Sequence, residues 1–306
     1  MKDAGVTLGE IINAGAESFK TAKLALGQGT LEFRDEARWL ALEALGLAVD
    51  SPDSIEDQSL SATEIAAIET LFARRISERL PAAYITGTAW LKGYRFYVDS
   101  RVIIPRSFIA ELLLGQLSPF VPNANHVTSV LDLCTGSGCL AIIAADQFPN
   151  AQVVAADLSD AALAVAQKNI SLYGLEDRMV LVHSDLYQGL DANTQFDVII
   201  CNPPYVPRAK AAHMPKEFQH EPAMALYADE DGMGLVAQIV AGAAQRLKPK
   251  GVLVMEIGHE FEACNAMFVQ RFAGVFPTWI ESPEQIDNVF IVSREELLAA
   301  KRSPHP

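Results

Sequence analysis

No stretch of the 306 residues approaches the ~20 consecutive apolar residues a membrane helix needs, which excludes a spanning segment and predicts no membrane partner. Lysine and arginine occur in no run longer than pairs such as Arg74-Arg75 and Lys301-Arg302. Phosphate backbones are bound through clustered cations, so generic nucleic-acid binding is disfavoured. Cysteine is scarce. Cys134, Cys139, Cys201 and Cys264 form no C-x-x-C pair and have no histidine nearby at ligand spacing, so no metal is expected. Two of them sit in or beside apolar runs, as small buried thiols in a reducing compartment do. The opening segment MKDAGVTLGEIINAGAESF carries Asp3, Glu10 and Glu17 and lacks the apolar region of a secretory leader, so the expected location is cytoplasmic. There is no internal repeat and no low-complexity tract.

What is abundant is acid and apolar bulk. Asp and Glu number 38 against 24 Lys and Arg, a formal charge of −14, with an isoelectric point near 4.8. An acidic surface suits a basic protein partner, mainly through steering. Half of the residues are hydrophobic, enough for a sizeable core, and the length suits one large domain with a smaller one.

Residues 1–85 show no strand alternation. They repeat apolar residues at helical spacing in EARWLALEALGLAV, which ends near Gly46, and in SATEIAAIETLFARRISERL, which opens on the capping-box pair Ser61 and Glu64. A small helical domain is expected there. Residues 86–107 read as a β-hairpin linker: AWLKGYRFYVDSRVIIPR places β-branched and aromatic residues on both sides of Asp99-Ser100, with Pro105 ending the second strand. Residues 108–306 alternate strands (SVLDLC, QVVAADL, MVLVHSD, FDVIICN, GVLVMEIG) with helical segments such as SDAALAVAQKNISLYG and GMGLVAQIVAGAAQRL. That alternation predicts an α/β fold with a doubly wound, mostly parallel sheet, and the closely spaced VFPTWIE and NVFIVS predict an antiparallel hairpin at its edge.

The first of these strands runs into DLCTGSGC. A Gly-rich turn between a strand and a helix lets backbone pass close to a ligand and aims helix N–H groups at it, a task for Gly136 and Gly138. Asp157 closes the second strand 19 residues after Gly138, where an acid accepts hydrogen bonds from ribose hydroxyls. Asp185 closes the third, placed to accept from an adenine amine. With Asp132, three acids then line the carboxyl edge of the sheet. Each feature alone has a plainer explanation: a glycine for helix packing, an aspartate for a helix cap. The turn could also serve a dinucleotide. However, an acid before the glycines, and Cys134 where the dinucleotide pattern has its first glycine, suit a cationic ligand such as S-adenosylmethionine better than a pyrophosphate.

The fourth strand ends in Asn202-Pro203-Pro204-Tyr205. The prolines stiffen the turn and have no N–H, so their carbonyls are free to accept, and Tyr205 offers a flat wall beside a cationic sulfonium. The Asn202 oxygen and the Pro203 carbonyl suit a planar nitrogen with two N–H groups. Positioning and hydrogen bonding, without a strong base, would then carry methyl transfer. The plainer alternative is a strand-terminating turn with Tyr205 packed on it.

NPPY after the fourth strand, DLCTGSGC after the first and the preceding VIIPRS together resemble the protein glutamine methyltransferases of the HemK/PrmC–PrmB type, over most of the chain from LGQGTLEFRDEARWLALEALGL through the last strand. The resemblance implies a Rossmann-like class I methyltransferase domain behind a helical substrate-recognition domain and a linking hairpin. It also implies S-adenosylmethionine as cofactor, with S-adenosylhomocysteine as product. Cofactor contacts carry over to Asp132, Cys134, Thr135, Gly136, Ser137, Gly138, Asp157, Leu158, Asp185 and Asn202, amide contacts to Asn202, Pro203, Pro204 and Tyr205, and possible substrate contacts to Arg106, Ser107 and Glu221.

Four segments (IPRSFIAELL, CTGSGC, ITGTAWLKGYRFYVDSRV and EFQHEPAMAL) are similar to the subgroup acting on a glutamine of the third large-subunit ribosomal protein, a basic partner met free or in an assembling subunit. Release-factor enzymes instead follow IPR with Pro-Asp-Thr-Glu and have GTGSG. Phe108 departs from the subgroup, which has proline there. The Asn-Pro-Pro-Tyr motif is shared with DNA adenine methylases, which the lack of a cationic groove disfavours, and a ribosome assembly factor without turnover is the non-enzymatic alternative. Glu217, Glu221, Asp229, Glu230 and Asp231 follow the motif closely. They read either as a substrate-facing lid or as a solvated loop, with His220 packing or capping.

Overall fold

In the computed structural model, residues 5–228, 232–258, 260–281 and 287–300 are described. Four helices come first: α1 (Leu8–Thr21), α2 (Phe33–Ala44), α3 (Ala62–Glu78) and the short α4 (Ala82–Thr86). Both α1 and α3 begin at capping boxes, Thr7 with Glu10 and Ser61 with Glu64, so two otherwise orphaned N–H groups at each start are satisfied locally.

A hairpin follows, but not with the expected turn. β1 (Thr88–Leu91) pairs antiparallel with β2 (Tyr94–Tyr97) around Lys92-Gly93, both at positive φ, the geometry of a two-residue hairpin turn. The Asp99 carboxylate instead accepts from the Arg101 N–H at 3.1 Å and from the Arg101 guanidinium, making a side-chain-closed turn beyond the hairpin. RVIIPR is therefore not a strand. It is an irregular segment whose Val102 and Ile104 are buried, and Pro105 ends nothing.

The remaining elements are α5 (Ile109–Leu114), β3 (Ser129–Leu133), α6 (Cys139–Gln147), β4 (Gln152–Asp157), α7 (Asp160–Tyr173), β5 (Met179–His183), β6 (Phe196–Cys201), β7 (Val206–Pro207), α8 (Ala223–Leu226), β8 (Tyr227–Ala228), α9 (Met233–Arg246), β9 (Leu247–Glu256), α10 (Phe261–Arg271), β10 (Thr278–Glu281), β11 (Asp287–Ser293) and α11 (Arg294–Ala300). Seven strands form one sheet in the order β10-β11-β9-β6-β3-β4-β5. β9, β6, β3, β4 and β5 are parallel, and β11 and β10 complete the sheet as an antiparallel pair with β10 outermost. The sheet is doubly wound and mostly parallel with an antiparallel edge, as the alternation of strand and helix predicts.

Strand periodicity divides the core into two layers. Val130, Val198, Ile200, Val252 and Val254 face α6, the N-terminal helices and the hairpin. Leu131, Leu133, Ile199, Leu253 and Met255 face α9 and α10. The first layer is continuous from Leu8 and Phe19 through Phe96 and Val98 to the sheet, so the helical region shares a core with the catalytic sheet. Among the described residues, no helix is long and apolar enough to cross a membrane.

Candidate active site

The chain runs outward from β3 through β4 to β5, then returns to the other side of β3 as β6. At such a switch of direction the loops leaving the two central strands diverge and open a crevice at their carboxyl ends. Leu133 lies opposite Cys201, so the Gly-rich turn and the Asn-Pro-Pro-Tyr segment start side by side.

Two cavities open there. The first, of about 200 Å³, is lined by Cys134, Gly136, Asp157, Leu158, Asp185 and Asn202. The second, of about 320 Å³, is lined by Asn202, Pro203, Pro204, Tyr205, Arg106 and Phe218, with Met214, Lys210 and Glu260 among the remainder. They share Ile103, Asn202, Pro204 and Ala225. A molecule in one therefore meets a molecule in the other across Asn202. Tyr205 lines the second cavity and not the first, so its ring stands apart from the cavity formed at the Gly-rich turn. Gly258 is required by that ring: a Cβ at residue 258 would lie 2.6 Å from Tyr205 Cε2.

The loop residues divide by direction. Asp157 Oδ2 accepts from the Gly136 N–H and its Oδ1 from the Ser159 N–H, both at 2.9 Å, so this carboxylate is pinned at the cavity wall. Burial pushes its carboxyl up, opposed by those amide donors. Asp132 is not a lining residue. It is 1% exposed and points beneath the loop, where Oδ2 accepts from the Thr135 hydroxyl at 2.5 Å. Burial without a cationic partner pushes its carboxyl up to about 7. Thr135 and Ser137 are likewise buried under the turn and outside the lining. Gly138 serves packing, since a Cβ there would sit 3.2 Å from that of Ala166 on α7. Cys134 adopts φ +57°, a conformation that costs a non-glycine residue roughly 1–2 kcal/mol, in the position where a glycine was the alternative.

The expected contacts around Arg106 take a different form. Glu221 does not face the open site: both its oxygens are held by the Arg106 guanidinium, at 2.5 and 2.6 Å, and Oε1 also accepts from the Ile104 N–H. Ser107 donates its hydroxyl to Glu256. The Phe108 N–H donates to the same Glu256 oxygen at 3.0 Å, a bond that proline could not make. Asn202 Nδ2 donates to the Arg106 carbonyl at 3.4 Å, which turns Oδ1 the other way.

The acidic segment is neither lid nor solvated loop where it is described. Glu217 is fully buried and Glu221 nearly so, His220 sits 3.1 Å from the Glu78 carbonyl at the end of α3, and Asp229, Glu230 and Asp231 lie outside the described residues. Sequence reasoning missed Asn169. Fully buried on α7, it bonds Tyr97 N at 2.7 Å and the Ser137 carbonyl at 2.8 Å, tying the hairpin to the Gly-rich turn. Nor were Arg101, Val102 and Ile103 singled out, yet all three line the first cavity, where Met224, exposed on α8, joins them. The misplaced turn hid the first three. Among the described residues, no cluster of His, Cys, Asp and Glu could hold a metal ion.

The family model described as Methyltransferase small domain matches residues 110–229. Over nearly its whole length the chain is similar to proteins named ribosomal protein uL3 glutamine methyltransferase. It is 46% identical over 291 residues to that of Bordetella pertussis, covering 95% of this chain and 96% of that one. The figures are 46% over 299 residues for Burkholderia pseudomallei, 96% of each, and 42% over 293 residues for Neisseria meningitidis serogroup A, 95% and 94%. Among solved structures, the fold is similar to the hMettl16 catalytic domain in complex with an RNA hairpin, with a TM-score of 0.50 at 16% identity over 76% of this chain and 81% of that one.

Proposed function

The chain belongs to the family of the ribosomal protein uL3 glutamine methyltransferases, and on that premise we propose that it transfers a methyl group from S-adenosylmethionine to the side-chain amide nitrogen of a glutamine in ribosomal protein uL3. The structural observation that carries this reading is the meeting of two cavities at Asn202 and Pro204.

The first cavity fits the cofactor by its donor set. Asp157 and Asp185 stand at adjacent strand ends with acceptor capacity for hydroxyls and an amine, Leu158 and Leu186 give apolar walls for a base, and Gly136 brings backbone close. The acids suit a ligand bearing cationic groups. When bound, S-adenosylmethionine supplies an electrophilic methyl group on a sulfonium. Asp157, already fixed by two backbone N–H groups, would hold the ribose end with its remaining lone pairs. Asp157→Ala is expected to weaken S-adenosylhomocysteine binding by about 10- to 100-fold, as loss of charge-assisted hydrogen bonds does. Isothermal titration checks this, and an unchanged affinity would remove Asp157 from the site.

On the acceptor side, an amide nitrogen is a weak nucleophile because its lone pair is delocalised into the carbonyl. Asn202 Oδ1 and the Pro203 carbonyl accept its two N–H groups, which orients the lone pair and raises its electron density. Tyr205, whose hydroxyl burial pushes up in pKa, stays a neutral wall. No side chain need act as a strong base before the methyl moves; afterwards the nitrogen, carrying two hydrogens and the new methyl, sheds one proton past its Asn202 or Pro203 acceptor to solvent, and positioning supplies the catalysis.

The helical region (1–85) is proposed to recognise the substrate protein, residues 86–107 to link it, and 108–306 to carry the chemistry, with the cytoplasm as the site of action. A basic ribosomal protein complements the net charge of −14. The test incubates the protein with methyl-labelled S-adenosylmethionine and, separately, unmodified uL3, release factor and duplex DNA, with mass spectrometry to place the label. Label on a uL3 glutamine is the expected result. Label on release factor alone would keep the mechanism and change the substrate, and label on DNA would refute a protein acceptor.

A further inference from the structure

Glu256 is a buried carboxylate with no place in either cavity lining. It closes β9, where Met255 lies opposite Cys201 of the parallel β6, so Glu256 runs alongside Asn202. Its Oε2 collects two donors from the segment entering α5, the Ser107 hydroxyl and the Phe108 N–H. Ser107 Oγ in turn accepts from the Ile109 N–H at 3.2 Å. One residue earlier, the Arg106 carbonyl receives Asn202 Nδ2, while the Arg106 guanidinium is gripped by Glu221. Two buried carboxylates thus hold the backbone before and after Arg106, Glu221 at the Ile104 N–H and Glu256 at the Phe108 N–H, and the carbonyl between them receives the Asn202 amide.

We propose that Glu256 is a positioning residue for the methyl transfer: it anchors Ser107 and Phe108 so that the Arg106 carbonyl keeps the Asn202 amide turned with Oδ1 toward the acceptor cavity. The proposal rests on the methyltransferase reading above. It also explains why a carboxylate is kept in an apolar layer at the end of a central strand. An apolar residue there would leave the Ser107 hydroxyl and the Phe108 N–H without partners, a loss felt in the peptide that holds Asn202. The two bonds call for an acceptor oxygen and not for a charge. Burial pushes the Glu256 carboxyl up to about 7, and a protonated acid still offers a carbonyl oxygen.

The test compares Glu256→Ala, Glu256→Gln and the milder Ser107→Ala, each alone and combined with Asn202→Ala. The alanine variant is expected to lower kcat about 100-fold, the effect of a misplaced reacting geometry, with acceptor KM and S-adenosylhomocysteine affinity held within about threefold. Glutamine restores kcat to within about fivefold, because Oε1 can take both donors. In the Asn202→Ala background the same change costs nothing further, because both residues act through one interaction. Ser107→Ala, which removes one donor, moves in the same direction by less, and serves if the alanine variant fails to fold. Wild-type kcat in Glu256→Ala, or an equal loss in the Asn202→Ala background, would overturn the proposal. A readout free of substrate separates it from the functional reading. The Asn202 side-chain amide resonance, assigned by its loss in Asn202→Asp, shifts in the alanine variant and keeps its position in the glutamine variant. If it stays put in both, the positioning role falls. If it shifts as stated while wild-type protein methylates no acceptor, the functional reading falls instead.

Discussion

Replacing Asn202 with alanine is expected to lower kcat by about 10³-fold, the upper range for removing one preorganised polar group at a reacting centre. The argument is geometric. Asn202 is one of four residues common to both cavities, with Ile103, Pro204 and Ala225, and its Nδ2 is bonded to the Arg106 carbonyl. Alanine removes the Oδ1 acceptor and leaves the Pro203 carbonyl to hold the amide alone, so the nucleophile keeps a partner but loses its orientation. Cofactor affinity is expected to change by less than about threefold, because Asp157, Asp185 and the Gly-rich turn are untouched and the remote binding contacts are made equally in ground and transition states. Asn202→Asp separates hydrogen bonding from shape. It keeps the volume but turns the donor facing the Arg106 carbonyl into an acceptor, so it should fail nearly as badly as alanine. Single-turnover methylation of uL3 with titration of S-adenosylhomocysteine measures both quantities. Retained turnover in Asn202→Ala would sink the proposed role. A cofactor affinity that falls in step with kcat would make Asn202 a cofactor ligand rather than an acceptor clamp.

The second large effect is on stability. Glu217 is expected to tolerate neither alanine nor glutamine: each should cost about 3–5 kcal/mol of unfolding free energy, the usual penalty for orphaning a buried ion-pair partner. Glu36, Arg75 and Glu217 have side chains 3%, 1% and 0% exposed, and Arg79, at 23%, completes a cluster of two acids and two bases. Arg75 Nε donates to Glu36 at 2.6 Å and Nη2 to the Ala25 carbonyl at 3.0 Å. Arg79 Nε lies 2.9 Å from Glu217 Oε1 without hydrogen-bond geometry, so that contact is chiefly Coulombic. The same oxygen accepts the Ala25 N–H at 3.1 Å. Removing the Glu217 charge leaves two guanidiniums facing one acid in a nearly dry site. Glutamine keeps the Oε1 acceptor that faces Ala25, Arg75 and Arg79, but it removes the charge that offsets the two guanidiniums and buries an N–H₂ group where Glu217 Oε2 has no partner. Guanidinium chloride denaturation followed by circular dichroism tests this, and a loss below about 1 kcal/mol would show that water or relaxation relieves the pair. Because Phe218, the next residue, lines the acceptor cavity, the cluster also joins the helical region to the acceptor wall.

The elements most legible in the sequence were those with a local period. The strands MVLVHSD and FDVIICN fell where they were read because β-runs bounded by turn residues have few alternative readings. The Ser61 and Glu64 box needs only three residues of spacing. The hairpin turn was misread because Asp99-Ser100 has turn-forming residues, whereas the turn that forms, at Lys92-Gly93, is set by the backbone twist that positive φ at both central residues accommodates. Glu217 and Glu221 were misread because an acidic run looks the same whether solvated or buried, until the arginines that meet it are known. Those arginines stand 115 residues away for Glu221 and in α3 or just beyond it for Glu217.

The sequence by itself determined the alternation of strand and helix, the Gly-rich turn after one central strand and Asn-Pro-Pro-Tyr after another, and with them the chemistry, because these depend on neighbours within a few positions of the chain. Only the tertiary structure decided which acids face the crevice and which turn beneath it, as Asp132 does, and which buried charges find partners. Burial and pairing are settled by residues far apart in the chain, such as Glu256 and Ser107, 149 positions distant, and the free energy of a charge depends on what surrounds it in space.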